Sequence, residues 1–125
     1  MDLNFVAGST FVKKLFLTSL EIDDLTDYTV YLEVRKLLTD AEPFISMNSD
    51  APNDKGSVIN ISIVENSVEM VFTSLETIPL TSSGKDTKCF WDLRFVHTDG
   101  TVKVLHPASN LLIQRVSTRV GKDLA

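Results

Sequence analysis

The chain has 125 residues, 43% of them hydrophobic, and its 12 Lys and Arg against 17 Asp and Glu give a formal net charge of -5. A chain of this size buries roughly two thirds of its surface on folding, which excludes whole-chain disorder and favours a single domain over residues 1–125. The acidic balance and the scattered basic residues argue against a sequence-independent nucleic-acid binder, because phosphate binding requires clustered cations.

Cysteine content and apolar run lengths narrow the class further. Cys89 is the one cysteine, so the chain is not a small secreted scaffold held together by disulfides. No stretch approaches the roughly eighteen apolar residues of a membrane-spanning helix. Asp2 also stands where a signal peptide would carry positive charge. We therefore expect a soluble intracellular product.

Apolar and polar residues alternate with a period of two along most of the chain, which is typical of half-buried strands. The first predicted strand covers residues 10–18, and a turn at Asp23 and Asp24 separates it from a second strand over residues 27–38. The alternation is clearest in this second strand. Its inward residues are Tyr28, Val30, Leu32 and Val34, and its outward residues are Thr29, Tyr31, Glu33 and Arg35.

The middle of the chain predicts a short strand, a loop and a hairpin. The strand covers residues 44–48, and the loop over residues 49–56 is polar and rich in turn residues. Strands over residues 57–65 and 67–73 then form the hairpin, with Ile59, Ile61 and Ile63 on one face of its first strand. A single helical turn capped by Ser74 and ending before Pro79 follows.

The last third predicts a long strand over residues 88–97 and its return. Its inward residues are Cys89, Trp91, Leu93 and Phe95, with Trp91 expected as the core anchor. Asp99 and Gly100 predict the hairpin turn, because Gly accepts a positive φ. The return strand covers residues 101–106, Pro107 interrupts it, and residues 111–118 supply a last strand. About seven to eight short strands without a long helix indicate an all-β, antiparallel sandwich or barrel.

No set of residues predicts catalysis, cofactor binding or metal binding. Cys89 lies in the inward phase of its strand, which is typical of an inert core thiol. His97 and His106 lie near strand ends, without the spacing that places two metal ligands together. Asp50 and Asp54 do not match a calcium loop, because Pro52 and Lys55 stand at positions 3 and 6 counted from Asp50.

Three further groups also favour structural interpretations. Asp23 and Asp24 are typical of a turn. Residues 83–86 resemble a phosphate loop only superficially, because the first Gly is missing. An aromatic and cationic patch for single-stranded nucleic acid could be formed by Tyr28, Tyr31 and Arg35. The interleaved Glu33 favours a solvated sheet face instead. We therefore predict no catalytic, cofactor-binding or metal-binding residues, no cofactor and no enzyme activity.

Several segments, taken in order, resemble a widespread group of small tailed-phage proteins and N-terminal modules of phage proteins. The matching segments are TF (residues 10–11), LTDYTV (25–30), LEVR (32–35), TIPL (77–80), FWDLRF (90–95), DGTV (99–102) and VSTR (116–119). They are strand and turn patterns, so their order and spacing carry the resemblance. This chain has Asp27 where the group prefers Gly, and Ala108 where a Gly commonly follows the leucine-rich strand.

The resemblance implies an immunoglobulin-like β-sandwich, similar to the N-terminal domain of phage baseplate upper proteins. It also implies a non-enzymatic virion component, a tail or baseplate module that docks other phage tail, baseplate or fibre proteins in multiple symmetric copies. The expected location is the virion, after assembly in the host cytoplasm, with no nucleic-acid or membrane partner. Residues 1–8 and 119–125 are possible attachment arms, because the edge strands of a small sandwich accept added strands.

Three alternatives stay open. A head-decoration or neck protein would use the same fold. A carbohydrate-binding sandwich would need Trp91, Tyr28 or Tyr31 as an exposed stacking platform, and the inward phase of Trp91 disfavours this role for it. An enzyme could assemble its residues from distant loops, which a sequence pattern does not reveal.

Overall fold

A computed structural model describes residues 3–17, 22, 24–37, 39–78 and 86–114. These residues form eight strands and one short helix, so the all-β prediction is confirmed. The strands are β1 (Leu3–Val6), β2 (Phe11–Phe16), β3 (Tyr28–Arg35), β4 (Ile45–Asn48), β5 (Val58–Ser62), β6 (Ser67–Phe72), β7 (Thr87–His97) and β8 (Val102–Gln114), and helix α1 (Ser74–Thr77) lies between β6 and β7.

Two sheets share the strands. One has five strands in the order β1, β8, β7, β3, β4, and the other has three in the order β2, β6, β5. Only the β1 and β8 pair is parallel among the described strands. The expected arm over residues 1–8 thus contains β1, which the sequence pattern did not predict, and residues 119–125 lie outside the described part of the chain.

The core lies between the inward faces of the two sheets. Trp91, at the centre of β7, is 1% exposed, as expected for a core anchor. Phe5 from the five-stranded sheet stacks on Phe11 from the other sheet, with 4.9 Å between ring centroids, and packs on Phe72 at 5.3 Å. These aromatic contacts join the two sheets at one side of the sandwich.

Pro107 does not interrupt the last strand, contrary to the prediction. The predicted strand over residues 101–106 and the start of the one over residues 111–118 belong to a single strand, because β8 runs continuously from Val102 to Gln114. Residues 115–118 lie outside the described part of the chain. Its register with β7 shifts between Trp91 and Leu93. Three β8 residues, including Pro107, lie opposite a single β7 residue, so the missing N–H falls in a bulge that needs no ladder hydrogen bond.

Two local predictions in the middle of the chain are also wrong. Ile63 does not share the buried face of β5, because the strand ends at Ser62 and Ile63 lies exposed in the following turn. Ser74 does not cap α1: Ser74 is its first residue, and the N-cap Thr73 makes no side-chain cap hydrogen bond. The Thr73 hydroxyl instead donates to the carbonyl of Lys55 at 2.6 Å, so a long-range contact takes the place of the cap.

The turn before β3 places Asp27 in the left-handed region, with φ at 64°. The Tyr28 N–H donates to the carbonyl of Leu25 at 3.2 Å, and the Thr98 N–H donates to that of Asp27 at 3.1 Å. The backbone of Asp27 therefore has the conformation that glycine adopts most easily. This is the position at which the phage group prefers Gly.

We expect Asp27→Gly to raise the free energy of unfolding by up to about 1 kcal/mol, because glycine removes the cost of a left-handed L-residue. The matched control is Asp50→Gly, an exposed position outside the left-handed region, which should lower the free energy by about 0.5–1 kcal/mol. Urea denaturation of both variants checks this. Destabilisation of similar size in both would contradict it.

Candidate interaction surfaces

Cys89 lies in the core, as its inward phase predicts. Its side chain is buried and lines an apolar cavity of about 360 Å³ with Phe90, Leu111 and Leu112. Burial raises the pKa of the Cys89 thiol to about 11, with a smaller opposing effect of the Lys36 charge. The thiol is therefore almost wholly protonated at neutral pH, unlike an activated cysteine nucleophile.

His97 helps to close the β7–β8 hairpin. Its Nδ1 accepts a hydrogen bond from the Asp99 N–H at 3.1 Å, and the Asp99 carboxylate accepts one from the Thr101 N–H at 2.8 Å. This hydrogen bond from Thr101 is the main cause that lowers the pKa of Asp99. Gly100 has φ at 97°, so the predicted turn is confirmed. His106 lies in the interior of β8 and not near a strand end as predicted, because β8 continues past Pro107, and its side chain is outside the described part of the structure.

The acidic residues weighed as ligands are dispersed. The Asp24 carboxylate accepts hydrogen bonds from the Thr26 hydroxyl at 2.6 Å and the Thr26 N–H at 2.9 Å, which lower the pKa of Asp24. Asp50 and Asp54 are exposed. Within the described ranges, no group of three or more His, Cys, Asp or Glu residues could hold a metal ion. Asp23 and residues 83–85 lie outside those ranges.

The aromatic and basic residues of β3 do not form one patch. The Tyr28 ring faces inward and meets the His97 ring edge-on, with 4.8 Å between centroids. Tyr31 lies on the opposite face of the strand. The Arg35 guanidinium is held by the Glu33 carboxylate at 3.2 Å and by the carbonyl of Asp40 at 3.1 Å. Because Tyr28 and Tyr31 face opposite ways, the stacking platform considered for nucleic acid is not assembled.

The outer face of the five-stranded sheet carries exposed apolar and charged side chains. We call this surface the outer face and define it by residues of β3, β7 and β8. These residues are Tyr31, Glu33, Arg35, Asp92, Arg94, Val96, Val102 and Val104. The register sets Tyr31 directly opposite Arg94, and Arg94 opposite Val104. Aromatic and Arg side chains are enriched at protein interfaces, so the outer face is a candidate docking surface.

Charges on the outer face are locally balanced. The Glu33 carboxylate lies 3.2 Å from the guanidinium of Arg35 and 3.9 Å from that of Arg94. Asp92 lies opposite Glu33 in the ladder, so two acids and two arginines share this area. The area therefore contributes no net charge, although the chain carries -5. A partner could cover it without net repulsion.

Asn53 connects β4, helix α1 and the loop that leads into β5. Its side-chain NH₂ donates to the carbonyl of Ser46 in β4 at 2.9 Å and to the carboxylate of Glu76 in α1. Its side-chain oxygen accepts from the N–H groups of Lys55 and Ser57, at 3.0 and 2.9 Å. Glu76 is buried, so this contact satisfies a carboxylate removed from water.

Sequence reasoning missed the role of Asn53. Asn53 stands in a stretch of turn residues that ends at Gly56, and this stretch signals only a local turn. Its partners Ser46 and Glu76 lie 7 and 23 positions away. The signal that could have found it was Glu76, an acid in the short segment after β6, where the alternation of apolar and polar residues stops.

Comparisons with known proteins assign no family. No protein-family model and no curated protein sequence matches this chain.

Helix α1 has four residues, and no helix among the described residues has the length and apolar character needed to cross a membrane.

We expect Asn53→Ala to lower the free energy of unfolding by about 3 kcal/mol, because it leaves the buried Glu76 carboxylate and two loop N–H groups without this partner. Asn60→Ala is the matched control, since the Asn60 side chain makes one exposed hydrogen bond, to Glu69 at 3.2 Å, and its loss should cost less than about 0.5 kcal/mol. Urea denaturation compares them. Equal losses would show that Asn53 contributes no more than an exposed amide.

Proposed function

We propose that this chain is a non-enzymatic structural component of a tailed-phage virion, a tail or baseplate module that docks neighbouring tail or fibre proteins. It acts in several symmetric copies, so modest contacts are multiplied by valency. The sequence resemblance motivates the proposal. The strand order, the turn at Asp27 and the composition of the outer face support it.

The proposal includes an immunoglobulin-like topology. Lettered in chain order as A′, B, C, C′, D, E, F and G, the strands give one sheet of A′, G, F, C, C′ and another of B, E, D. Immunoglobulin-like sandwiches likewise separate B, E and D from C, F and G. Two features differ from antibody domains: Trp91 lies on strand F, and Cys89 has no second cysteine to pair with.

Asp27 is the single observation that carries the link to the phage group. The group prefers Gly at this position, and here the backbone takes a φ of 64°. A left-handed residue is needed to lead the chain from the turn into β3, which glycine does at the lowest cost. The preference of the group for Gly at this position thus agrees with the left-handed backbone conformation of Asp27.

Electron microscopy of the intact phage particle carrying gold-labelled protein tests the proposal. We expect label at the baseplate or tail tip, in copies that follow the tail symmetry. Label on the capsid or neck would replace this proposal with the head-decoration or neck alternative. Particles without label, purified beside correctly folded free protein, would contradict a virion role.

Carbohydrate binding is a second candidate, favoured by the 38% exposure of Tyr31 beside Arg94 on the outer face. Trp91 and Tyr28 face the core, so Tyr31 is the one stacking residue that remains of the three considered. If this function holds, a glycan array shows binding that Tyr31→Ala abolishes and Tyr31→Phe retains. An array without binding, or binding unchanged in Tyr31→Ala, excludes it.

A further inference from the structure

We propose that the open edge of β2 binds an extended acidic segment of another protein, which adds a fourth strand to the three-stranded sheet. The proposal concerns a surface separate from the outer face of the five-stranded sheet. It rests on the backbone geometry and charge of β2 and does not depend on a virion origin.

Among the described residues, the backbone of β2 has hydrogen-bond partners on one side only, where β6 lies. β2 ends its sheet, with β6 as its neighbour. The Leu17 N–H donates to the carbonyl of Asn66 at 2.9 Å, in register with the β2–β6 ladder. Because backbone groups alternate between the two sides of a strand, the odd-numbered residues of β2 bond to β6. The N–H and C=O groups of Val12, Lys14 and Phe16 point to the open edge, where the described residues provide no partner.

Exposed apolar side chains flank this edge. Val12 is 51% exposed and Phe16 55% exposed, with Lys14 between them on the same face. Ile63 and Val64 are also exposed, in the β5–β6 turn at the end of the sheet where Phe16 lies. An added strand would therefore gain main-chain hydrogen bonds and cover apolar surface with its alternate side chains.

The edges at β4 and β5 are less suited to an added strand. At β4 the Ser49 N–H donates to the carbonyl of Val30 in β3. Because the backbone groups of successive residues point to alternate sides of a strand, the N–H and C=O of Ser46 point away from β3, to the open edge. The Ser46 carbonyl already accepts a hydrogen bond from Asn53. On β5 the outward side chains are Val58, Asn60 and Ser62, of which Val58 alone is apolar, and it is half-buried. Compared with β4 and β5, β2 therefore combines open backbone groups with two apolar side chains that are more than half exposed, Val12 and Phe16.

The charge of β2 selects the partner. Its six residues include Lys13 and Lys14 and no acid, although the whole chain carries -5. A second copy of β2 would bring lysines together, and like charges on facing strands are destabilising. An acidic residue opposite Lys14 would be attracted instead. The Lys14 ammonium now lies 3.2 Å from the Glu65 carboxylate, and an exposed pair of this kind exchanges partners at little cost.

A designed peptide tests this assignment on the full chain. The probe has nine residues, alternates Thr with Val and carries Glu at its centre, so that Glu faces Lys14 when Val flanks it on the same side. We expect saturable binding by fluorescence anisotropy. Hydrogen exchange followed by NMR should show that the amides of Val12, Lys14 and Phe16 exchange rapidly in the free protein and become protected with peptide. Those of Lys13 and Leu15 should be protected in both states.

Charge reversal makes the test specific. Lys14→Glu should weaken binding of the central-Glu peptide about 5-fold and strengthen binding of a central-Lys peptide by a similar factor, the size expected for one facing pair. Lys88→Glu makes the same change of charge on β7 and should alter neither. Val12→Pro removes an edge N–H and should reduce binding at least about 10-fold. If Val12→Pro does not fold, Lys14→Glu still decides the matter.

Four results would overturn the proposal. They are the absence of peptide binding, protection that appears on another strand, equal effects of Lys14→Glu and Lys88→Glu, and self-association of the peptide-free protein with protection of the β2 edge. The last result would identify a second copy of the chain as the occupant.

Discussion

The whole structure depends on the mutual burial of two sheet faces. Each strand has an apolar face, and neither sheet could leave that face in water, so each covers the other. Trp91 fills the centre, and the stack of Phe5 on Phe11 joins the sheets where the chain crosses from β1 to β2. The Gly8 N–H donates to the Thr77 hydroxyl at 2.8 Å in this crossing, so the link between the sheets also positions α1.

A core enclosed by two open sheets leaves strand edges without a neighbouring strand. The edges at β4 and β2 differ in what lies beside their backbone groups. At β4, Asn53 occupies the carbonyl of Ser46 and also satisfies the buried Glu76. At β2, Lys14 and exposed apolar residues lie beside open backbone groups. Lysine in an edge strand discourages pairing between identical edges. The same lysine favours an acidic partner, so protection against self-association and selection of a partner can follow from one side chain.

The side chains with titratable or nucleophilic groups that were weighed for catalysis mostly have structural roles. Asp24 and Asp99 accept hydrogen bonds within turns, and His97 closes a hairpin. Burial raises the pKa of the Cys89 thiol, which keeps it protonated. Within the described part of the chain, the surface also carries a charge-balanced sheet face around Tyr31 and the open edge of β2. We propose that both features recognise other molecules, by shape, backbone pairing and charge.

The sequence by itself determined the all-β class, most strand positions and the inward residues, Trp91 among them, because alternation with a period of two is a local property of the chain. It also predicted the turn at Gly100. Only the tertiary structure decided that β1 pairs in parallel with β8, that a bulge accepts Pro107 within one strand, and that Asn53 joins β4 to α1. These features join residues far apart in the chain, and their free energy arises from pairing and burial that local patterns do not encode.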